Sequence, residues 1–539
     1  MRVLGAAIAA IAFGASTTFV LRRLAYRRET IRLRFETAAS RTREGWNRFW
    51  ARDPFVQAHR ARTGFAFATY RVPGGESIAV HLAASDLQHH ALVLGATGTG
   101  KSSLLEALAV SHLRAKRPFT MLDLHGDLFT RVAAWALVEK PERLVLIDFT
   151  RPDLLPGWNP LAPMLGVDIG RQVDLLVGVL KRLYVDEVAS SWAWGVRVHE
   201  VTRWALRALI ESAAPMSLVD LASFLLIPAV RERTLATASE ETRTYFAKRW
   251  GAQDQQYVSA VLNKLEPFLG SVAVQRFLGQ ATSTVDLFGA IERGDTVLVN
   301  LAKGYLGPPA EVMGRMLVNV CQLATLRRET LNVDRRKPYA LLLDEAHVLA
   351  GAESGLEEFL VAARKYKVFV TLAAQGLSLF PARARPHLLG NTGTQFFFRL
   401  PYSEAKALAP DILEPLGSVW REQTRPNDAI EDPLLTPAEE VAWRTRELAR
   451  LPVGACYFYA KDRPYKARRI QVLPPLELPF TPARLRRQID NEMARQKGLK
   501  VLDDTQEAAE NAMVRAIAER SARREARLAQ QPASRIHQF

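Results

Sequence analysis

The chain has 539 residues, enough for two or more domains with cores of their own, and its 48% hydrophobic and 24% charged content is typical of a folded protein. The formal net charge of +16 favours a polyanionic partner, either nucleic acid or an anionic membrane surface, although arginine on solvated helices would give the same value. The two cysteines, Cys321 and Cys456, lie far apart in apolar runs, which indicates a reducing compartment and ordinary core packing rather than a disulfide or metal site.

The first thirty residues predict a membrane anchor. Residues 3–21 contain no charged side chain, and a helix of this length spans roughly 28 Å, close to the thickness of a bilayer's hydrocarbon core. Four arginines follow within residues 22–28, against Arg2 and the amino terminus before the run, so the positive-inside rule places the rest of the chain in the cytoplasm. A cleavable signal peptide is the alternative, but the arginines stand where its cleavage site should be. We therefore expect a single-pass membrane protein with its bulk in the cytoplasm, residues 1–30 as the anchor and 31–63 as a basic juxtamembrane segment.

A glycine-rich loop then predicts nucleotide binding. Residues 95–102 match the phosphate-binding pattern G-x-x-x-x-G-K-[ST], with an apolar run before them and a helical pattern after them. A strand, a glycine turn and a helix N-terminus direct consecutive backbone N–H groups at an anion. Lys101 is then expected to reach the β- and γ-phosphates of ATP, and the Ser102 hydroxyl to bind Mg²⁺. The predicted nucleotide-binding residues are Gly95, Ala96, Thr97, Gly98, Thr99, Gly100, Lys101, Ser102 and Ser103.

Further apolar runs predict the sheet around this loop. Near-continuous apolar strands that alternate with helical patterns are typical of a mostly parallel sheet covered by helices. We therefore expect an α/β fold with a P-loop, RecA-like core. Between 167 and 290 the sequence shows helical periodicity and no strand, which indicates an all-α domain inserted into that core. The predicted parts are 64–166 and 291–475 for the nucleotide-binding domain, 167–290 for the inserted domain and 476–539 for a charged C-terminal tail.

Two carboxylates at the end of a predicted strand complete a hydrolytic site. Residues 339–343 are apolar and are followed by Asp344 and Glu345. Asp344 is expected to hold the Mg²⁺ shell, and Glu345 to orient and deprotonate the attacking water. Gln375 closes the next predicted strand, and we expect it to project towards the γ-phosphate.

These motifs together resemble the HerA/FtsK superfamily of ring-forming motor ATPases. Within it, the sequence is most similar to the TraD/TraG-type coupling ATPases of type IV secretion and conjugation. The resemblance extends over residues 64–473. Besides the phosphate loop, it is carried by residues 123–127, 157–161, 300–304, 342–345, 363–368, 373–375 and 391–394.

The resemblance implies a homo-hexamer with the nucleotide between subunits and single-stranded or duplex DNA in its pore. Arg364 matches the family's trans-acting arginine, Asp123 matches an acid near the nucleotide in some relatives, and Arg399 is a candidate sensor. Relaxase, relaxosome or secretion-channel proteins are the implied partners. The chain departs from coupling proteins in having one predicted membrane segment rather than two with a periplasmic loop between them, which leaves open how it docks on a channel.

Four functional classes share a phosphate loop of this kind. The leading one is a membrane-anchored ATPase that translocates DNA and recruits substrate to a conjugation or type IV secretion system. The second is an FtsK/HerA-like DNA-processing translocase, which the absence of a helix-turn-helix pattern in the C-terminal tail disfavours. The third is a protein-secretion ATPase that does not bind DNA, which the basic charge disfavours. The fourth, an ABC transporter subunit, lacks the Leu-Ser-Gly-Gly-Gln signature.

Overall fold

The computed structural model describes ten stretches of the chain. The predicted membrane anchor, the basic segment up to residue 52 and the tail beyond residue 496 lie outside them. Within the described part, no helix combines the length and the apolar character needed to cross a bilayer. The transmembrane part of the predicted fold therefore stays a prediction. The described residues are 53–61, 65–72, 77–82, 86–164, 166–182, 195–350, 356–413, 435–461, 463 and 467–496.

Eleven strands lie in the described part of the chain, and five of them are buried along their whole length. The strands are β1 (Ala66–Arg71), β2 (Ser77–His81), β3 (His90–Leu94), β4 (Phe119–Asp123), β5 (Leu144–Asp148), β6 (Thr296–Asn300), β7 (Tyr339–Leu343), β8 (Val368–Ala374), β9 (Thr392–Phe397), β10 (Ala455–Ala460) and β11 (Arg468–Val472).

The same residues contain nineteen α-helices, from one turn to five turns long. They are α1 (Pro54–Arg60), α2 (Lys101–Arg114), α3 (Asp127–Glu139), α4 (Ile169–Arg182), α5 (Val196–Glu211), α6 (Asp220–Leu226), α7 (Pro228–Leu235), α8 (Glu240–Lys248), α9 (Ala252–Leu269), α10 (Val272–Leu278), α11 (Ala290–Arg293), α12 (Lys303–Leu306), α13 (Pro309–Arg327), α14 (Ala346–Ala350), α15 (Leu356–Lys365), α16 (Ala384–Asn391), α17 (Tyr402–Ile412), α18 (Pro437–Leu448) and α19 (Pro482–Arg495).

The first of two compact units comprises residues 1–111 and 369–477, as far as they are described. Its strands follow the order β2-β1-β11-β10-β9-β3-β8. Strand β3 is parallel to both of its neighbours, β9 and β8, whereas the pairs from β9 outwards to β2 are antiparallel. The four antiparallel strands β1, β2, β10 and β11 were not among the predicted runs. In β2 and β11 burial alternates along the strand, the pattern of a sheet with one solvated face.

The second unit comprises residues 112–368 and 478–539, as far as they are described. Its strands follow the order β7-β4-β6-β5, and every pair in it is parallel. The apolar composition of β4, β6 and β7 explains this arrangement, because a parallel strand covered by helices is buried on both faces. The α/β architecture with a mostly parallel sheet is therefore confirmed.

A helical segment separates β5 from β6. Helices α4 to α11 follow one another there, with no strand among its described residues. A polar cluster fixes α5 inside this segment: the Glu211 carboxylate accepts hydrogen bonds from Arg207 Nε (2.8 Å), from the backbone and hydroxyl of Ser239 (3.0 and 2.8 Å) and from the Thr242 hydroxyl (2.7 Å). Such a fully hydrogen-bonded carboxylate ties α5 to the start of α8.

The last described helix, α19, covers β5, the edge strand of the second unit. Its buried side chains Leu485, Ile489 and Met493 recur every four residues and form one apolar face. Beyond them, the Gln496 amide accepts from the N–H of Leu146 (3.0 Å) and donates to the carbonyl of Leu144 (3.1 Å). A side-chain amide therefore continues the ladder of β5, an edge strand that would otherwise offer these groups to another chain.

Candidate nucleotide-binding and catalytic residues

The phosphate loop begins at the carboxyl end of β3, between two parallel strands. The Gly95 N–H donates to the carbonyl of Ala374 at the end of β8 (3.2 Å). The Ala96 N–H donates to the carbonyl of Arg399, just beyond β9 (2.9 Å). The start of the loop is thus held on both sides by backbone that lies about 280 to 300 residues later in the sequence.

The glycines of the loop are required by its geometry. Gly98 and Gly100 have φ values of +73° and +112°, which residues with a side chain rarely adopt. A Cβ atom on Gly95 would lie 2.5 Å from Phe398 Cβ, and one on Gly100 would lie 3.1 Å from Gly454 Cα. The loop therefore packs against the backbone around it, and Gly454 also donates its N–H to the Thr99 carbonyl (2.8 Å).

Helix α2 begins at Lys101, directly after the loop. The bond from the Leu104 N–H to the Gly100 carbonyl (3.2 Å) closes its first turn, so the N–H groups before Leu104 have no acceptor within the helix. Lys101 Nζ donates to the carbonyls of Gly95 (2.7 Å) and Ala96 (3.2 Å). A buried ammonium inside a glycine loop, at the positive end of a helix dipole, fits an anionic phosphate chain.

Two further candidates lie beside this loop. Gln375 is the residue after Ala374, whose carbonyl accepts the Gly95 N–H, and its side chain is exposed. Arg399 contributes the carbonyl that accepts the Ala96 N–H on the opposite side, and it is partly exposed. The structure therefore brings Gln375 and Arg399 to the two flanks of the phosphate loop. Gln375 directly follows the predicted strand, now β8, and its projection towards a γ-phosphate stays a prediction.

The carboxylates Asp344 and Glu345 end β7 in the second unit. The Asp344 N–H donates to the Leu122 carbonyl (3.1 Å), and Asp344 Oδ1 accepts from the Glu345 N–H (3.1 Å). Glu345 has a φ of +49°, a left-handed conformation that is strained for a residue other than glycine. Its carboxylate lies 3.5 Å from Nδ1 of His347. The strained turn directs two adjacent acids from one strand end, as a metal ligand and a base would require.

Asp123 has a structural role in the same unit. Its Oδ1 accepts from the His125 N–H (2.9 Å) and its Oδ2 from the Phe129 N–H (2.8 Å). The side chain is buried, and it satisfies N–H groups at the start of α3. The sequence-based proposal that this acid lies near a nucleotide stays a prediction.

A polar contact beside it was not predicted from the sequence. Asn300, at the end of β6, donates to Asp148 Oδ1 at the end of β5 (2.8 Å) and accepts from the Ala302 N–H (2.9 Å). Gly126 packs against the Asn300 side chain so closely that a Cβ atom there would lie 2.7 Å from Asn300 Oδ1. The detectable signal was that β4, β5 and β6 each end in Asp or Asn, and these ends lie side by side in a parallel sheet.

Arg364 lies in the last turn of α15 in the second unit. Its side chain is exposed, and its carbonyl accepts the Lys367 N–H (3.1 Å). An exposed guanidinium at a helix end can reach a group on another molecule, as a trans-acting arginine must. The predicted site residues thus fall into two sets. The phosphate loop, Gln375 and Arg399 belong to the first unit, and Asp123, Asp344, Glu345 and Arg364 belong to the second.

The segment that contains the phosphate loop is similar to a known protein family. Residues 71–152 match the family model described as the central domain of helicase HerA. Residues 71–152 are therefore called the HerA-type domain, after the family model that they resemble. The match runs from the end of β1 to just beyond β5 and includes the whole phosphate loop, so the resemblance to the HerA/FtsK superfamily is confirmed. No curated protein matches the sequence.

Solved structures extend the similarity beyond the HerA-type domain. The bacterial conjugative coupling protein TrwB, in a trigonal form with sulphate, is 17% identical with a TM-score of 0.53, and the match covers 80% of this chain and 95% of that one. The plasmid coupling protein TrwB in complex with ADP and Mg²⁺ is 18% identical with a TM-score of 0.51, covering 78% and 92% of the two chains. At this identity the likeness shows a shared fold.

Proposed function

We propose that this chain is an ATP-driven motor that translocates DNA and recruits a DNA or nucleoprotein substrate to a type IV secretion or conjugation system. The observation that carries the proposal is the phosphate loop, held at the carboxyl end of β3 within a HerA-type domain. The fold shared with TrwB supports the coupling branch of the family. The apolar run at residues 3–21 supports a single-pass anchor in the bacterial inner membrane, with the bulk of the chain in the cytoplasm.

The loop residues suit the phosphates of ATP. The N–H groups at the start of α2 and the Lys101 ammonium bind the β- and γ-phosphate oxygens, in the place where Lys101 now binds loop carbonyls. The Ser102 hydroxyl and the Asp344 carboxylate are the proposed ligands of Mg²⁺, a hard cation that prefers oxygen ligands. Such an ion would neutralise charge on the phosphate oxygens. A TrwB structure that contains ADP and Mg²⁺ supports this choice of nucleotide and cation.

The remaining candidate residues have different roles in ATP hydrolysis. Glu345 orients the attacking water and accepts a proton from it. Gln375, exposed directly after β8, projects towards the γ-phosphate. Arg364, exposed at the end of α15, stabilises the charge that develops on the nucleotide of a neighbouring subunit. This role requires an assembly of identical subunits, and the hexamer expected for the superfamily meets that requirement. Arg399 lies at the flank of the loop, where it can respond to the bound γ-phosphate.

The DNA partner is supported by the net charge of +16. A motor that follows the phosphate backbone binds with little sequence preference and with a strong salt dependence, because each neutralised phosphate releases counterions. Subunit contacts formed on DNA would bring Arg364 to the neighbouring nucleotide. We therefore expect DNA to accelerate ATP hydrolysis.

The test is the rate of ATP hydrolysis by the full-length, detergent-solubilised chain with single-stranded DNA, with duplex DNA and without DNA, over a series of salt concentrations. We expect stimulation by DNA at low salt, and binding that weakens by a factor of about 10³ or more between 50 and 200 mM salt. The Lys101→Ala variant is the matched control for contaminating ATPases. If DNA neither binds nor stimulates at low salt while ATP is still hydrolysed, the DNA-motor proposal fails and a protein-secretion ATPase takes its place.

A further inference from the structure

The helix that carries Arg364 ends against two buried arginines of its own unit. Arg328, with 1% of its surface exposed, donates to the carbonyls of Tyr366 (3.0 Å) and Lys337 (2.8 Å) through Nη1. Arg336, with 6% exposed, donates to the carbonyl of Lys365 (3.3 Å) through Nη1. Each of the two carbonyls that directly follow Arg364 thus accepts a charged hydrogen bond.

Both arginines are anchored by further contacts. Arg328 Nη2 donates to the carbonyl of Ile291 in α11 (3.0 Å). Arg336 donates to the carbonyl of Leu331 through Nη2 (2.8 Å), and its guanidinium lies 5.1 Å from the centre of the Tyr366 ring. The two guanidinium groups therefore connect the end of α15 to backbone from three other parts of the unit, and their own freedom to move is small.

Satisfying the end of a helix in this way costs desolvation free energy, because charged groups must be buried. The last carbonyls of any helix lack intrahelical donors, and water or a nearby glycine turn can satisfy them. Here two cations are buried close together instead. Burial lowers the pKa of Arg328, and the charge of Arg336 adds a small effect in the same direction, while the Glu292 carboxylate, 3.7 Å from Nε, partly offsets the lowering. Both groups still supply charged hydrogen bonds and complement the negative end of the helix dipole. The extra cost suggests that the position of this helix end matters for more than stability.

We propose that Arg328 and Arg336 are positioning residues, which fix the direction in which Arg364 leaves α15 and so align it with the nucleotide of a neighbouring subunit. The inference rests on the proposed role of Arg364 in hydrolysis. The two arginines do not contact the nucleotide themselves. They hold the backbone of Lys365 and Tyr366, so that Arg364 is presented from a rigid helix end rather than from a frayed one.

The test uses Arg336→Met in the full-length chain, because this change keeps most of the side-chain volume and removes the hydrogen bonds. We expect kcat for ATP hydrolysis to fall about 10²-fold, the loss caused by a displacement of about 1 Å, with KM for ATP unchanged. Arg336→Lys, which keeps the charge, should recover part of the loss. Combined with Arg364→Ala, Arg336→Met should cause no further loss, because the positioning acts only through Arg364.

A matched control exists in the helical segment of the same unit. Arg231 donates to the Leu225 carbonyl near the end of α6 (3.2 Å), and its guanidinium lies 5.2 Å from the centre of the Trp250 ring. Arg231→Met removes the same kinds of contact, and we expect it to lower the melting temperature without changing kcat. If Arg336→Met fails to fold, kcat for ATP hydrolysis is compared between Arg336→Lys and Arg231→Lys instead. A lower kcat in Arg336→Lys supports the positioning role, and equal values overturn it.

The outcomes separate the two proposals. Suppose that Arg364→Ala loses ATP hydrolysis, but that kcat of Arg336→Met is no lower than kcat of Arg231→Met. This result would overturn the positioning role and leave the proposed function standing. A double variant slower than Arg364→Ala alone would do the same, because Arg336 would then act by another route. If Arg364→Ala hydrolyses ATP at the parental rate, the role of Arg364 is wrong and the positioning role falls with it.

Discussion

At the scale of single residues, replacing Lys101 and replacing Glu345 should affect ATP binding and ATP hydrolysis differently. Lys101 donates to two loop carbonyls, whereas Glu345 lies at a strained strand end in the other unit. Lys101→Ala should abolish ATP hydrolysis and leave the fold intact, because it removes a phosphate ligand. Glu345→Gln should bind ATP and stall, with turnover lowered about 10²- to 10⁴-fold, because Asp344 remains to hold Mg²⁺ while the base is lost.

The measurement pairs ATP turnover with the binding of a fluorescent ATP analogue and with thermal unfolding. Lys101→Ala should lose both turnover and affinity, and Glu345→Gln only turnover. Unfolding temperatures within a few degrees of the parent would confirm that neither effect comes from the fold. Hydrolysis by Glu345→Gln at the parental rate would show that the assigned base is wrong.

At the scale of elements, the start of α3 depends on one carboxylate. Both oxygens of Asp123 accept backbone N–H groups, and an amide has one acceptor oxygen where a carboxylate has two. Asp123→Asn should therefore lower the free energy of unfolding by about 1 kcal/mol, through a lost cap and a lost interaction with the helix dipole. We expect KM for ATP to be unchanged.

Chemical denaturation and ATPase kinetics on the same preparation check this prediction. Asp168→Asn is a suitable comparison, because Asp168 accepts from the Arg171 N–H (3.3 Å) near the start of α4 but is exposed, so its loss should matter less. A raised KM for ATP in Asp123→Asn with no loss of stability would instead support the position near the nucleotide that the family resemblance implies.

At the scale of the whole molecule, the apolar run at residues 3–21 should determine whether the protein is bound to the membrane. Deleting residues 1–28 should release the protein from the membrane fraction into the soluble fraction, because the apolar run and the arginines that orient it are both removed. A reporter fused after Phe539 in the full-length chain should report the cytoplasm. A periplasmic signal from the fusion would reverse the orientation, and a mature chain that lacks residues 3–21 would restore the signal-peptide interpretation.

The sequence by itself determined the features that are contiguous in the chain. The phosphate loop, the buried strands β3, β4, β6 and β7 and the strand-end acids are each visible as a short run of residues. Residue chemistry within one turn or one strand is sufficient for such features, because their geometry depends on neighbours along the chain. The HerA-type domain was recognisable for the same reason. The antiparallel strands β1, β2, β10 and β11 were missed. The runs of β1, β2 and β11 mix apolar and polar residues, whereas β10 is a short run of aromatic, Ala and Cys side chains that was not recognised as a strand.

The tertiary structure alone decided which distant groups meet. Nothing local indicates that Ala374 and Arg399 supply the carbonyls that hold the start of the phosphate loop. The same is true of Arg328, whose three acceptors come from separate parts of the second unit, and of Gln496, which completes the edge of β5. A charged or amide side chain carries no sign of its partner in the sequence, because its hydrogen-bonding capacity is the same in water as in the core. Folding selects the partner, since a buried polar group left without one costs more than the whole bond contributes.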